Sequence, residues 1–185
     1  NQLSICNPRA IGLDVMFDAP QENDSDIIDA VANTPNLVLA MSVEETGDGN
    51  DVFEPQDTSF FYPYTRHQLH GAVNLPAKFF KSVIRKFRTD FPTEAARVDG
   101  HADSIPSFVT AIASLASPEK TEALMARKNA RLAKGKRAGD ASSELVNFPS
   151  IEFRIYEPDD IAEHLDELSG KVVLIGAMSE ISDKH

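Results

Sequence analysis

Two imidazoles stand three residues apart in His67-Gln-Leu-His70. With His101 and Asp103 they have the donor types a zinc ion takes. The stretch reads as strand or loop, however, and no Glu sits between the two histidines as a metalloprotease helix requires. Ordinary hydrogen-bonded histidine is the plainer reading. Carboxylates offer a second set. Asp14 stands inside an apolar run, where a charge is costly unless it is paired or faces a polar pocket. Asp18 follows it four residues on, and Asp183 lies near the end. Around one divalent cation these three would make a metal-dependent hydrolase. They lack the Asp-x-Asp spacing of phosphoryl-transferring α/β enzymes. Asp183 and His185 would suit acid–base work, yet no nucleophile for them is identifiable. Gly176-Ala-Met-Ser-Glu180 follows a strand and could cradle an anion. It lacks the Gly-x-Gly-x-x-Gly spacing, and neither Gly-x-x-x-x-Gly-Lys-Ser/Thr nor Gly-x-Ser-x-Gly occurs. Cys6, the single cysteine, excludes an internal disulfide and reads as an inert thiol. No catalytic residue, metal or cofactor is assigned.

The elements that would position these groups alternate between strand and helix. Ala10 to Phe17 is an apolar strand stopped by Asp18-Ala-Pro20. Asp24 or Ser25 caps a helix to about Asn33, with Ile27, Ile28 and Val31 on one face. Leu37 to Val43 is the next strand, and the short connections imply parallel pairing. Glu44 to Phe60 reads as a long loop, followed by an aromatic cluster at Phe60, Phe61, Tyr62 and Tyr64 that could cover a core edge or line a pocket, core cover being the plainer reading. His70 to Leu75 and Val83 to Phe87 read as short strands. A helix capped at Asp103 or Ser104 carries Pro106 in its first turn and an apolar stripe of Phe108, Val109, Ile112 and Leu115. It restarts at Pro118, projects into solvent after Lys120 and ends at Gly135. Gly135 to Ser143 reads as a flexible basic loop. Glu144 to Phe148 and Ile151 to Ile155 read as strands, and Pro158 opens a helix closing at Gly170. Lys171 to Ala177, an unbroken Val/Leu/Ile run, suits a central parallel strand covered on both faces. The fold class is α/β, with one sheet, mostly parallel or mixed, and helices on both faces.

The chain has 185 residues, room for one domain with a real core. Eighteen basic against 29 acidic residues give a net charge of −11, a poor match to nucleic acid. The charge is polarised. Ala10 to Thr65 holds twelve acidic residues and no basic one, while Arg127 to Arg137 holds six basic residues and no acidic one. The basic stretch could attract anionic headgroups near a membrane. No apolar run approaches the ~18–20 residues of a membrane helix, and no signal peptide is visible. The opening Asn-Gln-Leu-Ser lacks an initiator Met, so the chain reads as an excised piece.

Several phrases occur in an order that carries a resemblance. They are Ala10-Ile-Gly-Leu-Asp-Val-Met-Phe-Asp-Ala-Pro20, His70-Gly-Ala-Val-Asn-Leu-Pro76, Ile105-Pro-Ser-Phe-Val-Thr-Ala-Ile112 and Leu145-Val-Asn-Phe148. Gly170-Lys-Val-Val-Leu-Ile-Gly-Ala177 with Ser182-Asp-Lys-His185 completes the set. The chain resembles the type-two CHASE domain, the cyclase- and histidine-kinase-associated sensory extracellular module. The resemblance implies a non-enzymatic input domain on the periplasmic or extracellular face of a bacterial membrane. Membrane segments absent here would lead to a cytoplasmic kinase or cyclase. Family members carry a further strand and helix before the Ile-Gly-Leu-Asp strand and continue past the terminal Asp-x-His. The chain therefore reads as one sensor domain, truncated at both ends.

The carboxyl ends of the strands and the matched phrases together nominate Asp14, His70, Asn74, Asp183 and His185 as ligand contacts. The expected partner is a small molecule or environmental signal. A dimer through the helix at 104–116 or the aromatic segment at 60–64 is a further expectation.

Overall fold

The computed structural model describes residues 2–17, 19–22, 24–46, 52–56, 60–73, 86–94, 104–145 and 153–176. The main sheet is mixed and has five strands: β1 (Ala10–Asp14), β2 (Leu37–Glu45), β3 (Phe53–Gln56), β4 (Leu69–Ala72) and β9 (Val172–Gly176). β1 lies parallel between β2 and β9, and β4 is parallel to β2. β3 is antiparallel to the second half of β2. Two small antiparallel pairs stand apart: β5 (Lys86–Arg88) with β8 (Ser143–Leu145), and β6 (Asp90–Pro92) with β7 (Ser104–Pro106).

Helices cover both faces. The acidic first turn of α2 (Asp24–Ala32) suits the positive end of its dipole. Its Val31, Ile27 and Ile28 pack with Ile11, Leu37, Leu39 and Phe61. Leu3 of the short helix α1 (Gln2–Ile5) joins that cluster. On the opposite face α3 (Phe108–Ala116) sets Phe108, Ala111 and Ile112 on Ala10, Val38 and Ala40. Two glycines allow this close approach. A Cβ on Gly71 would lie 2.5 Å from the Phe108 Cα, and one on Gly12 would lie 2.6 Å from Ile112 Cδ1. α4 (Pro118–Ala133) runs back outside α3, and a helical turn, α5 (Ala138–Ala141), follows.

Several expectations are corrected. The stretch read as a loop from Glu44 to Phe60 contains β3, whose edge pairing a polar composition did not advertise. Ser104–Pro106 is strand rather than helix start. Proline disfavours helix at the residue before it, so Ile105 is extended and Ser107 becomes the cap, accepting a hydrogen bond from the Thr110 N–H. α4 does not project freely, because Lys128 is buried against β6. Gly135 to Ser143 is not a loose loop, since Ala141 and Ser142 are fully buried. Residues 153–157 form no strand, and Phe153 is 80% exposed. The helix expected from Pro158 to Gly170 is a 3-10 turn (Ile161–Glu163) and then α6 (Leu165–Leu168).

β9 differs most. It is an edge strand among the described residues, with Val172 and Leu174 45% and 61% exposed while Val173 and Ile175 face the α2 cluster. Composition marks a strand as apolar on both sides, but α3 lies over β1, β2 and β4 and stops short of β9. Of the expected strands at 70–75 and 83–87, β4 and β5 are what is described; β4 ends at Ala72, one residue short of Val73, and residues 74–75 and 83–85 lie outside the described ones.

Candidate functional site

The outer edge of β2 is shared. Its first half holds β4, with Leu39 beside His70 and Met41 beside Ala72. From Ser42 onward it holds β3, with Ser42 beside Gln56. Where one strand gives way to the other, a crevice opens. Val15, Leu39, Ala40 and Met41 form its apolar wall, and Gln56, Tyr62, Thr65 and His70 supply its polar groups. The space is about 10 Å³, room for one water.

Residues 60–68, ahead of β4, roof this crevice. Phe61 is buried against Phe17 and Phe60, with ring centroids 5.0 and 5.4 Å away, and anchors the 3-10 turn Tyr62–Tyr64. That turn places the Tyr62 ring edge-on to the His70 imidazole at 4.9 Å. Gln68 ties the strap down by donating from Nε2 to the carbonyls of Val31 and Ala32 in the last turn of α2, at 2.9 and 3.1 Å. His70 Nδ1 lies 2.9 Å from the Gln68 carbonyl. Donation from Nδ1 in the neutral ring leaves Nε2 as an acceptor. Burial pushes the His70 imidazole below its usual value, the Gln68 carbonyl opposes this, and His67 adds to the lowering. His70 is therefore poised neutral, with protonation penalised by its surroundings.

The nominated residues do not all converge. Leu13, Leu39 and His70 stand in register across three strands and so share one face. Asp14, one residue on, falls on the opposite face with Gly12, the side that carries α3. It is exposed at the end of β1 beside Gly176. Asn74, Asp183 and His185 lie outside the described residues, as do Asp18, His101 and Asp103. Among the described residues no three His, Cys, Asp or Glu side chains gather as metal ligands would. Cys6 is buried, with Sγ 3.0 Å from the Leu3 carbonyl.

One charged pair went unseen in the sequence. Lys128 of α4, 7% exposed, donates to Oδ2 of Asp90 on β6, which is fully buried, and the Thr89 hydroxyl donates to Oδ1 at 3.0 Å. Burial pushes the Asp90 carboxyl up, but the Lys128 ammonium and the Ser104 hydroxyl outweigh it and hold the group below the usual range. Thirty-eight residues separate the partners, so no local spacing signals the pair.

The model of the CHASE2 domain matches residues 1–185. The chain belongs to the CHASE2 family. No curated protein and no solved structure matches it. CHASE2 is a sensory, extracellular domain family of receptors, not a catalytic one. In this CHASE2 domain the phrase Gly170 to Gly176 is the turn into β9 and β9 itself, Gly170 taking a φ of +65°. The Ile-Gly-Leu-Asp phrase is β1, and its Gly12 seats α3. Ile105 to Ile112 spans β7, the Ser107 cap and the first turns of α3. Three of the matched phrases thus hold the fold together. Among the described residues, His70 is the nominated contact that also lines this crevice. No helix among the described residues is long and apolar enough to cross a membrane.

Proposed function

We propose that the chain, as one domain, is the ligand-binding input of a bacterial transmembrane receptor whose output is a histidine kinase or a nucleotide cyclase. Its ligand is a small polar molecule or ion entering at the junction of β3 and β4. The observation that carries this reading is the crevice itself. It places an imidazole acceptor, a phenol, an amide and a hydroxyl over apolar strands, which is the composition of a small-molecule site. Its volume admits one water, so any larger ligand has to lift the Tyr62 strap away from His70. Binding and rearrangement are then the same event. A receptor needs that coupling, because only a ligand that prefers one state shifts the population.

Asn74, Asp183 and His185 stay in the proposed contact set with His70. Asp14, on the other face, is a separate candidate. The membrane attachment and a dimeric arrangement belong to the same proposal. The test is a thermal-shift screen of small polar metabolites and ions, repeated on His70→Phe and on Asp14→Ala. A hit that raises the melting temperature of the parent and of Asp14→Ala but not of His70→Phe supports the site. A hit abolished by Asp14→Ala and untouched by His70→Phe moves the site to the α3 face and overturns it.

A further inference from the structure

The basic stretch from Arg127 to Arg137 is more ordered and less neutralised than a solvated loop. Two of its six cations are engaged within the fold: Lys128 by Asp90, and Arg131 by Glu144 at 2.8 Å and by the carbonyls of Ala141 and Ser143. Arg127 lies 4.0 Å from the same Glu144 and is largely exposed. Lys134, Lys136 and Arg137 are exposed and make no ion pair among the described residues. Asp140 is the one acid in the run from Arg127 to Ser143 that these pairs leave over. The backbone there is closed on itself. The N–H groups of Lys134 and Lys136 donate to the Arg131 carbonyl, and that of Gly135, at a φ of +78°, donates to the Leu132 carbonyl. Leu132 stands among these cations 38% exposed. A fixed turn thus presents three uncommitted cations and one exposed leucine, on a chain whose net charge is −11.

We propose that this turn, formed by the end of α4 and residues 134–137, rests against a surface of anionic lipid headgroups. The idea rests on the reading of the chain as a membrane-attached receptor domain, which puts such a surface within reach. Charge complementarity selects the phosphates, and the leucine suits the boundary between headgroup and acyl chain better than bulk water. Arg131, held by Glu144 and by two carbonyls, braces the base of the turn, so its presentation needs no ordering on contact.

The experiment is co-sedimentation of the chain with vesicles of phosphatidylcholine alone and with about 30% phosphatidylglycerol, at low salt and at about 0.5 M, where screening collapses to a few ångströms. Each cation near such a surface contributes roughly fivefold in partitioning, so three give about a hundredfold preference for the anionic vesicles. The variant Lys134→Gln/Lys136→Gln/Arg137→Gln should lose that preference. A control of equal charge change at exposed cations elsewhere, Arg66→Gln/Lys120→Gln/Lys171→Gln, should retain it. Leu132→Ser should weaken binding to anionic vesicles a further fewfold. Equal partitioning to both vesicle types, or equal loss in both triple variants, would overturn the proposal. So would binding to soluble polyphosphate with none to vesicles. Vesicle binding involves no ligand at the β3–β4 crevice, so this result and that of the ligand screen stand or fall separately.

Discussion

Replacing Lys128 by Met probes the buried pair with Asp90 while keeping the length of the aliphatic stem. The structure sets the size of the effect. Asp90 is fully buried, and without the ammonium its Oδ2 loses its cationic partner, leaving the carboxylate with the neutral hydroxyls of Thr89, Ser104 and Ser142. Removing one partner of a buried ion pair typically costs about 3–5 kcal/mol, because the remaining charge is stranded. For a domain of this size that corresponds to a fall in melting temperature of roughly 10 °C. The pH dependence carries the sharper test. In the parent the folded Asp90 carboxyl lies below its ordinary value of 3.8, so its stabilising contribution is present at neutral pH and disappears as pH falls through the folded value. In Lys128→Met only the neutral Ser104 and Ser142 hydroxyls oppose burial, and the carboxyl shifts up from its place in the parent. The variant then recovers relative to the parent as acid neutralises the stranded charge. Urea titrations at several pH values between about 4 and 8 should show the gap between the two proteins narrowing towards acid. The double variant Asp90→Asn/Lys128→Met should regain much of the loss. A uniform deficit under about 1 kcal/mol at every pH would refute the argument, since it would mean that solvent already reaches the pair.

His70 gives a second titration. Its imidazole sits below the ordinary 6.5, so the unfolded chain binds the proton more readily, and stability should decline as pH drops below that value and on through the folded one. Chemical denaturation should show this decline in the parent and a flatter profile in His70→Gln; an identical slope in both would remove His70 as its source. Gly71→Ala should destabilise by about 1–3 kcal/mol, because the new methyl meets the backbone of Phe108 and forces α3 outward. An unchanged melting temperature would show that α3 is not seated on β4 as described.

Local chemistry was legible where it repeats along the chain. The apolar runs at Ala10 and Leu37, the acidic first turn of α2, and Pro118 opening α4 each announce their element through neighbours in sequence. The ordered phrases from Ala10 to His185 carried the family resemblance, and the CHASE2 match covers the same span. Strand pairing was harder. β3 is a short strand held by the edge that β2 offers beyond Met41 and by Phe53, which packs on Val43, Ala72 and Phe91. Ser107 displaced the expected cap because the extended residues before it pair with β6, a partner more than a dozen residues away.

The side chains alone determined an acidic α/β domain with a positive stretch at 127–137 and a histidine at the start of a strand, because period, charge and turn chemistry act over a few residues. Tertiary structure decided which face each strand residue takes and which charges meet. It put His70 and Asp14 on opposite sides of one sheet, since a single step along a pleat reverses direction. It also engaged Lys128 and Arg131 inside the fold while leaving Lys134, Lys136 and Arg137 outside, a division set by where α4 meets β6 and β8.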